Sequence, residues 1–183
     1  MRRSHIVRIV AIVAIVAFAG IAVFLATRPV AQGATQVDSP LIGTMAPDFS
    51  AQTLSGTDVS LESLRGHVVA LSFFASWCGP CRIEAPELAT FQFDQRHRGT
   101  GVELYGVVFN DSDVAVRSFL HAYGLEYPVV TDPSGSIAND FGVTGPPVTV
   151  VLTPGGKVAA VLEGAVTSTQ LSQVTEAAGR GPA

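Results

Sequence analysis

The only two cysteines of the 183-residue chain lie two residues apart, in the motif Trp77-Cys78-Gly79-Pro80-Cys81. Two thiols at this spacing can form and reopen a small disulfide ring, and the Gly79-Pro80 pair favours a turn that leads into a helix. The partial positive charge at a helix N-terminus lowers the pKa of a thiol placed there. Cys78 is therefore a candidate nucleophile near neutral pH, and Cys81 is placed to resolve the mixed disulfide that follows.

Two other roles are open to the same pair: a zinc site and a purely structural disulfide. Zinc requires about four ligands, and the histidines show no ligand spacing to the cysteines; they are His5, His67, His97 and His121. A static disulfide that closes so short a loop would constrain the unfolded chain very little. The pattern favours redox chemistry, and we expect no metal and no cofactor besides the cysteine pair.

The elements that must position the cysteines can be predicted from the apolar pattern. Val68–Ala75 is apolar almost throughout, as in a central strand covered on both faces, and it leads directly into the motif. A helical pattern follows from Pro80 to about Arg98, with Pro86 inside it as an expected kink. The other expected elements are a hairpin at 50–61, strands at 102–109 and 128–131, helices at 113–123 and 136–141, a hairpin at 147–163 and a last helix at 167–178. This alternation predicts one α/β sheet with helices on both faces.

An apolar segment at residues 9–27 is long enough to cross a membrane as a helix. Three arginines precede it and only one follows closely, which predicts that residues 1–8 stay in the cytoplasm and that everything after the segment is exported. Its length favours a retained signal-anchor over a cleaved signal peptide, although residues 29–33 offer a small-residue cleavage site.

The remaining chain is predicted to consist of a flexible linker at 28–40, one domain at 41–178 and a short tail at 179–183. All fifteen acidic residues lie after residue 37, against seven basic ones, a formal charge of −8. Nucleic acid is therefore not an expected partner. Oxidising compartments favour stable disulfides, so an exported cysteine pair that acts as a reductant needs a supply of electrons.

The order strand, Trp77–Cys81, helix with Pro86, and later strand opened by Pro147 is similar to the thioredoxin fold. Other segments resemble the membrane-anchored thiol-disulfide oxidoreductases of the DsbE/CcmG cytochrome c biogenesis family, to which ResA and TlpA are related. These segments are Ser39-Pro40-Leu41-Ile42-Gly43, Ala46-Pro47-Asp48-Phe49, Cys81-Arg82-Ile83-Glu84 and Tyr127-Pro128-Val129-Val130. The resemblance implies a central mixed β-sheet flanked by helices, with an N-terminal β-hairpin extension and an N-terminal transmembrane helix.

The resemblance also implies a function and a set of partners. It implies a reductant at the outer face of the membrane that reduces the haem-attachment disulfide of apocytochrome c, directly or through another thiol protein, and is itself re-reduced by a membrane thiol transporter of the CcdA/DsbD kind. The sequence itself gives no reason to expect a dimer, so we expect a monomer. Cys78 would be the attacking thiol and Cys81 the resolving thiol. Pro147 matches the cis-proline of the family, whose strand faces the cysteines and offers backbone groups to a peptide.

Several residues near the cysteines have either a chemical or a structural interpretation. Glu84 matches an acidic residue of the family that tunes the thiols, but a carboxylate near a helix N-terminus is also favourable for the helix itself. We expect Trp77 to pack and shield the disulfide, and Asp111 and Asp113 to cap a helix. Three positions depart from the related patterns: Ser72 stands where thioredoxins place a buried acid, Val148 where an acidic residue often follows the cis-proline, and Pro146 is an unusual residue before it.

Three alternative functions remain. A general exported oxidoreductase, acting as oxidant or isomerase, would differ in reduction potential and not in fold. A copper carrier generally has three residues between its cysteines and a distant histidine. Peroxidase activity is suggested only by Ala46-Pro47-Asp48-Phe49, because the threonine and proline that precede a peroxidatic cysteine are missing.

Overall fold

The computed structural model of the protein describes residues 33–181, together with residues 14 and 17–20. The chain divides into the units Met1–Gln32 and Gly33–Ala183. Apart from those five residues, the predicted anchor at 9–27 lies outside the described part, as do residues 1–8 and 28–32 and the last two residues of the predicted tail. No helix within the described ranges is both long and apolar enough to cross a membrane.

Residues 33–181 form eight strands and four α-helices. The strands are β1 (Thr35–Gln36), β2 (Ser50–Gln52), β3 (Asp58–Ser60), β4 (Val68–Phe74), β5 (Val102–Val108), β6 (Val129–Val130), β7 (Val148–Leu152) and β8 (Val158–Glu163). The helices are α1 (Gly79–Arg98), α2 (Asp113–Tyr123), α3 (Ser136–Asp140) and α4 (Ser168–Gly179), with a single 3₁₀ turn at Glu62–Leu64.

Six of the strands form one mixed sheet in the order β1-β8-β7-β4-β5-β6. Strands β4, β5 and β6 are parallel, whereas β7 is antiparallel to both β4 and β8. Strands β2 and β3 form a separate antiparallel hairpin. The predicted mixed sheet and the predicted N-terminal hairpin are both confirmed.

Strand β4 is central because both of its faces are covered. All seven of its residues are buried, which explains the uninterrupted apolar run in the sequence. Alternate residues enter two cores. The core beneath α1, α2 and α4 includes Ala70, Phe74, Leu88, Phe119 and Leu171, and the core beneath the hairpin and α3 includes Phe49, Leu71, Phe73, Ile137 and Phe141.

Helix α1 begins directly after the central strand and carries the second cysteine in its first turn. Pro80 occupies the start of the helix, where a missing N–H is harmless, and the helix continues through Pro86. It ends at Gly99, whose φ of 60° is the left-handed conformation that glycine adopts without strain.

Short segments of the chain pair along β8 and β6, on the two sides of the sheet. Along β8, residues Thr35 and Gln36 pair with Glu163 and Leu162, and the following residues up to Ala46 add further backbone hydrogen bonds. Along β6, the Leu54 N–H donates to Val129 and the Thr131 N–H donates to Gln52. The prediction of a flexible linker at 28–40 is therefore wrong for residues 35–36, because a two-residue strand is too short to show a periodic pattern.

Candidate active site

The two cysteines lie where strand β4 passes into helix α1, and they are joined by a disulfide. Cys78 is the N-cap residue of the helix, and its Sγ accepts a hydrogen bond of 3.1 Å from the Cys81 N–H. Both side chains are buried, with exposures of 4% for Cys78 and 2% for Cys81. The same N–H and the helix dipole would stabilise a thiolate at Cys78 once the disulfide is reduced.

The loop before strand β7 meets the disulfide from the other side. The peptide bond between Pro146 and Pro147 is cis, which confirms the prediction for Pro147. The Pro146 carbonyl oxygen lies 3.6 Å from Cys78 Sγ. The reduced Cys78 thiol can therefore donate to this carbonyl, and the structure brings Pro146 and Pro147 together with the cysteine pair.

A cleft of about 730 Å³ opens beside the disulfide. Pro80, Pro146 and Pro147 line its inner side. Its other lining residues include three acids and, within the described residues, no lysine or arginine; the acids are Asp38, Asp140 and Glu163. The cleft is thus suited to a peptide with neutral or basic side chains near its own disulfide.

Glu84 lies on the buried face of helix α1, with only 1% of its surface exposed. Its Oε1 accepts a hydrogen bond of 3.0 Å from the Val166 N–H, and its Oε2 has no hydrogen-bond partner among the described residues. Burial raises the pKa of Glu84 from 4.5 to about 7, and the hydrogen bond from Val166 opposes part of that rise.

The interpretation of Glu84 as a carboxylate that only matches the helix dipole in the first turn is therefore wrong. The residue lies beyond the first turn of α1, which contains no acidic residue, and it faces the core. It follows Cys81 by three residues, so both side chains lie on one side of the helix. A carboxyl group with a pKa near 7 in this position can accept and return a thiol proton.

Trp77 is 55% exposed, and its packing over the disulfide stays a prediction. Its Nε1 donates a hydrogen bond of 3.1 Å to the Asn110 carbonyl. The indole therefore connects the cysteine loop to the segment between β5 and α2.

Asp111 makes a second connection between the same two segments, and the sequence did not indicate it. Its Oδ2 accepts a hydrogen bond of 2.6 Å from the Ser76 N–H, and its Oδ1 accepts one of 2.7 Å from the Ser112 N–H. The N-cap of α2 is Ser112, whose hydroxyl accepts from the Ala115 N–H. The prediction of a capping role is therefore wrong for both aspartates: Asp111 precedes the N-cap, and Asp113 lies in the first turn of the helix.

Replacing Asp111 with alanine should destabilise the protein by about 1–3 kcal/mol, because two backbone N–H groups lose a charged acceptor. Urea denaturation of the full chain measures the change in the free energy of unfolding. Asp113→Ala is the matched control, since it removes only a favourable dipole interaction of about 0.3–1 kcal/mol. Equal losses in the two variants would contradict the anchoring role of Asp111.

The positions that depart from the related patterns lie close to this site. Ser72, in the central strand, is completely buried, and its hydroxyl has no hydrogen-bond partner in the described residues. Val148 is 6% exposed and packs into the core beneath the hairpin. Residues 33–181 contain no cluster of three histidine, cysteine or acidic side chains that could hold a metal ion.

Comparison with known proteins places this geometry among thiol-disulfide oxidoreductases. Residues 42–161 match the model of the AhpC/TSA family. The thiol-disulfide oxidoreductase ResA of Bacillus subtilis is 33% identical over 129 residues, which cover 70% of this chain and 71% of ResA.

Solved structures are similar over the same region. DsbF of MTB, whose structure shows mixed oxidised and reduced forms, is 31% identical in sequence and superposes with a TM-score of 0.67. The match covers 73% of this chain and 99% of the DsbF chain. A secreted disulfide oxidoreductase of Mycobacterium tuberculosis homologous to DsbE of E. coli is 28% identical with a TM-score of 0.63, covering 70% and 95%. These likenesses and the cysteine pair at disulfide distance show that the chain belongs to the AhpC/TSA family and is a thiol-disulfide oxidoreductase of the ResA type with a thioredoxin-like fold.

Proposed function

We propose that the protein is a membrane-tethered reductase, with its catalytic domain on the extracytoplasmic side, that reduces the disulfide of apocytochrome c during cytochrome c maturation. The observation that carries this proposal is the placement of Cys78, which lies at the N-terminus of α1, beside the acidic cleft and opposite the Pro146 carbonyl. The apolar segment at 9–27, with arginines before it, supports the location.

The first chemical step is attack by the Cys78 thiolate on a substrate disulfide. A bond forms between Cys78 Sγ and one substrate sulfur, the substrate S–S bond breaks, and the second substrate sulfur leaves as a thiolate that takes a proton from solvent. The Pro146 carbonyl next to Cys78 can accept a backbone N–H of the substrate, which would align the peptide along the loop.

The second step releases the reduced substrate. The Cys81 thiol gives its proton to the Glu84 carboxylate, and the resulting thiolate attacks Cys78 Sγ. The bond between Cys78 and the substrate breaks, and the substrate sulfur is protonated as it leaves. The substrate has then gained two electrons and two protons, and the protein holds the disulfide seen in the structure.

A further thiol protein must return the pair to the dithiol state. Exchange with a membrane thiol transporter of the CcdA/DsbD type would supply two electrons by the same chemistry in reverse. The haem-attachment motif CxxCH carries a histidine directly after its second cysteine. Because histidine is partly cationic near neutral pH, it suits a cleft lined by Asp38, Asp140 and Glu163.

The reduction potential of the Cys78–Cys81 pair tests the direction of the reaction. The full chain in detergent is equilibrated in thiol buffers of defined potential, and the fluorescence of Trp77, the only tryptophan and the neighbour of Cys78, follows the redox state. A reductase should give a value toward the thioredoxin end of the scale, about −270 mV, and not toward about −120 mV.

A value near the oxidising end would favour the second candidate, a general exported oxidoreductase that acts as oxidant or isomerase on secreted proteins. Pro146 and Val148, which depart from the DsbE/CcmG pattern beside the disulfide, are the observation that favours this candidate. The two functions also differ in cells. Under our proposal, deletion of the gene or Cys78→Ala lowers holocytochrome c and added small thiols restore it, whereas unchanged holocytochrome c would remove the assignment.

A further inference from the structure

One row of side chains across the sheet, on the face that packs against α1, carries two hydroxyls and a glycine. Ser72 of β4 lies opposite Thr149 of β7 on one side and opposite Gly106 of β5 on the other. Ser72 and Thr149 are completely buried. Their neighbours two residues along the strands, Phe74 and Val151, belong to the same core as the cysteines, which places the row beneath helix α1.

The ring of Tyr127 lies over the glycine of this row. A Cβ added to Gly106 would come within 3.0 Å of Tyr127 Cε2, so the missing side chain makes the room that the ring occupies. Tyr127 is 5% exposed, and its hydroxyl has no hydrogen-bond partner in residues 33–181. Tyr127 belongs to the same core as Phe74 and Val151, so its phenol oxygen is buried on the face of the sheet that carries the two hydroxyls of the row.

Glu84 approaches this group from helix α1. Its Oε1 is held by the Val166 N–H, which leaves Oε2 buried without a partner. Burial, and secondarily the charge of Glu84, raise the pKa of Tyr127 above its usual range, which is consistent with a short separation between the two side chains. Cys81 lies three residues before Glu84 on α1, and Glu87 lies three residues after it, so both face the same side of the helix. The Glu87 carboxylate is instead engaged by the Ser168 N–H at 2.8 Å.

Four buried side-chain oxygens within the described residues lack a hydrogen-bond partner, and all four belong to this group: Ser72 Oγ, Thr149 Oγ1, Tyr127 OH and Glu84 Oε2. Buried polar atoms in native proteins are almost always hydrogen-bonded, to protein or to ordered water. A buried water makes two to four hydrogen bonds, and three hydroxyls with one carboxylate oxygen supply both donors and acceptors for it.

We propose that Ser72, Thr149, Tyr127 and Glu84 form an internal water-binding site between the sheet and helix α1, in which water links Glu84 Oε2 to the three hydroxyls. The hydroxyls act as positioning residues. They donate through water to the carboxylate and accept from the carboxylic acid, so Glu84 can change its protonation state without leaving the core. The water site is independent of the substrate, while its part in proton transfer depends on the role proposed above for Glu84.

Thr149→Val tests the water site by the sign of its effect on stability. Valine has nearly the shape of threonine, and removing an unpaired buried hydroxyl would leave stability unchanged or improve it. If water pairs this hydroxyl, the substitution leaves the water and its other partners short of a hydrogen bond, and the unfolding equilibrium constant of the full chain should rise about fivefold. An unchanged or smaller constant would overturn the proposal.

Thr175→Val is the matched control, because the buried Thr175 hydroxyl donates to the Leu171 carbonyl at 2.8 Å. This control measures how much the unfolding equilibrium constant rises when a buried hydroxyl with a known acceptor is lost. We expect Thr149→Val to raise this constant as well.

Tyr127→Phe tests the link to Glu84. Loss of a donor to the carboxylate should raise the pH midpoint of the Glu84 carboxyl, followed by its ¹³C resonance, by about half a unit or more. If the pH midpoint of the Glu84 carboxyl shifts in neither Tyr127→Phe nor Thr149→Val, the proposed link between Glu84 and the hydroxyls is overturned. If instead the pH profile of exchange is unaffected by Glu84→Gln while Thr149→Val still destabilises the protein, the proposed catalytic role of Glu84 fails and the water site stands.

Discussion

Cys78→Ala should reduce the rate of disulfide exchange to less than about one-thousandth of its original value, because the remaining thiol, Cys81, does not occupy the N-cap position where the helix dipole stabilises a thiolate. Cys81→Ala should behave differently. It retains Cys78 at the helix N-terminus, where the helix dipole stabilises the thiolate, but no resolving thiol follows. The variant should therefore accumulate a covalent mixed disulfide with its substrate.

The two variants are compared with a short peptide that carries one disulfide. Mass spectrometry under non-reducing conditions detects the protein–peptide adduct, and the appearance of free peptide thiols gives the rate. A variant that carries both Cys78→Ala and Cys81→Ala should show neither the adduct nor free peptide thiols. Adduct formation by Cys78→Ala but not by Cys81→Ala would reverse the assignment of attacking and resolving thiols.

Glu84→Gln should remove a large pH dependence of stability from the oxidised protein. The Glu84 carboxyl releases its proton near pH 4.5 in the unfolded chain and near pH 7 in the folded one. Between these values the folded state binds more protons, so the free energy of unfolding falls as the pH rises. A pKa shift of this size corresponds to about 3 kcal/mol of stability, which is fully present below about pH 4.5 and fully lost above about pH 7.

Urea denaturation at pH 4.5 and pH 8 measures this effect as the difference between the two proteins. Glutamine retains an acceptor for the Val166 N–H, so the variant should be the more stable protein at pH 8. Glu87→Gln, one turn apart on the same helix, is the control and should keep the original pH dependence. In exchange assays above pH 7, loss of the proton acceptor should slow resolution of the mixed disulfide by about 10²-fold. Parallel stability curves for Glu84→Gln and the original protein would contradict the buried carboxylate.

The elements that carry the cysteines could be predicted because their signals are local. The apolar run of β4, the Gly-Pro start of α1 and the turn residues around the last hairpin each determine a structure within a few residues. The position of Pro147 opposite the cysteines was inferred from the family resemblance. The local signals predicted the elements, and the resemblance predicted how Pro147 faces the cysteines. Together they predicted the path of the chain through the site correctly.

The residues that complete the site could not be predicted, because their roles depend on packing between distant segments. An acid in a helix does not reveal whether its face is buried, and the burial of Glu84 depends on where α4 and the loop containing Val166 pack. Asp111 stands in a run of possible capping residues, and only the tertiary fold brings Ser76 to its carboxylate. Ser72 and Tyr127 are 55 residues apart in the sequence, and each lies next to Gly106 only in the folded sheet.

The pairing along β8 and β6 has a consequence for an enzyme that acts on disulfides of other proteins. A free edge strand offers a ladder of unpaired backbone groups, and unfolded polypeptides add to such ladders and nucleate aggregates. Here residues 35–46 occupy the β8 edge and residues 52–54 occupy the β6 edge. An extended peptide would therefore find β8 and β6 already paired, whereas binding at the Pro146 carbonyl would bring it to the disulfide and couple its capture to chemistry instead of to self-assembly.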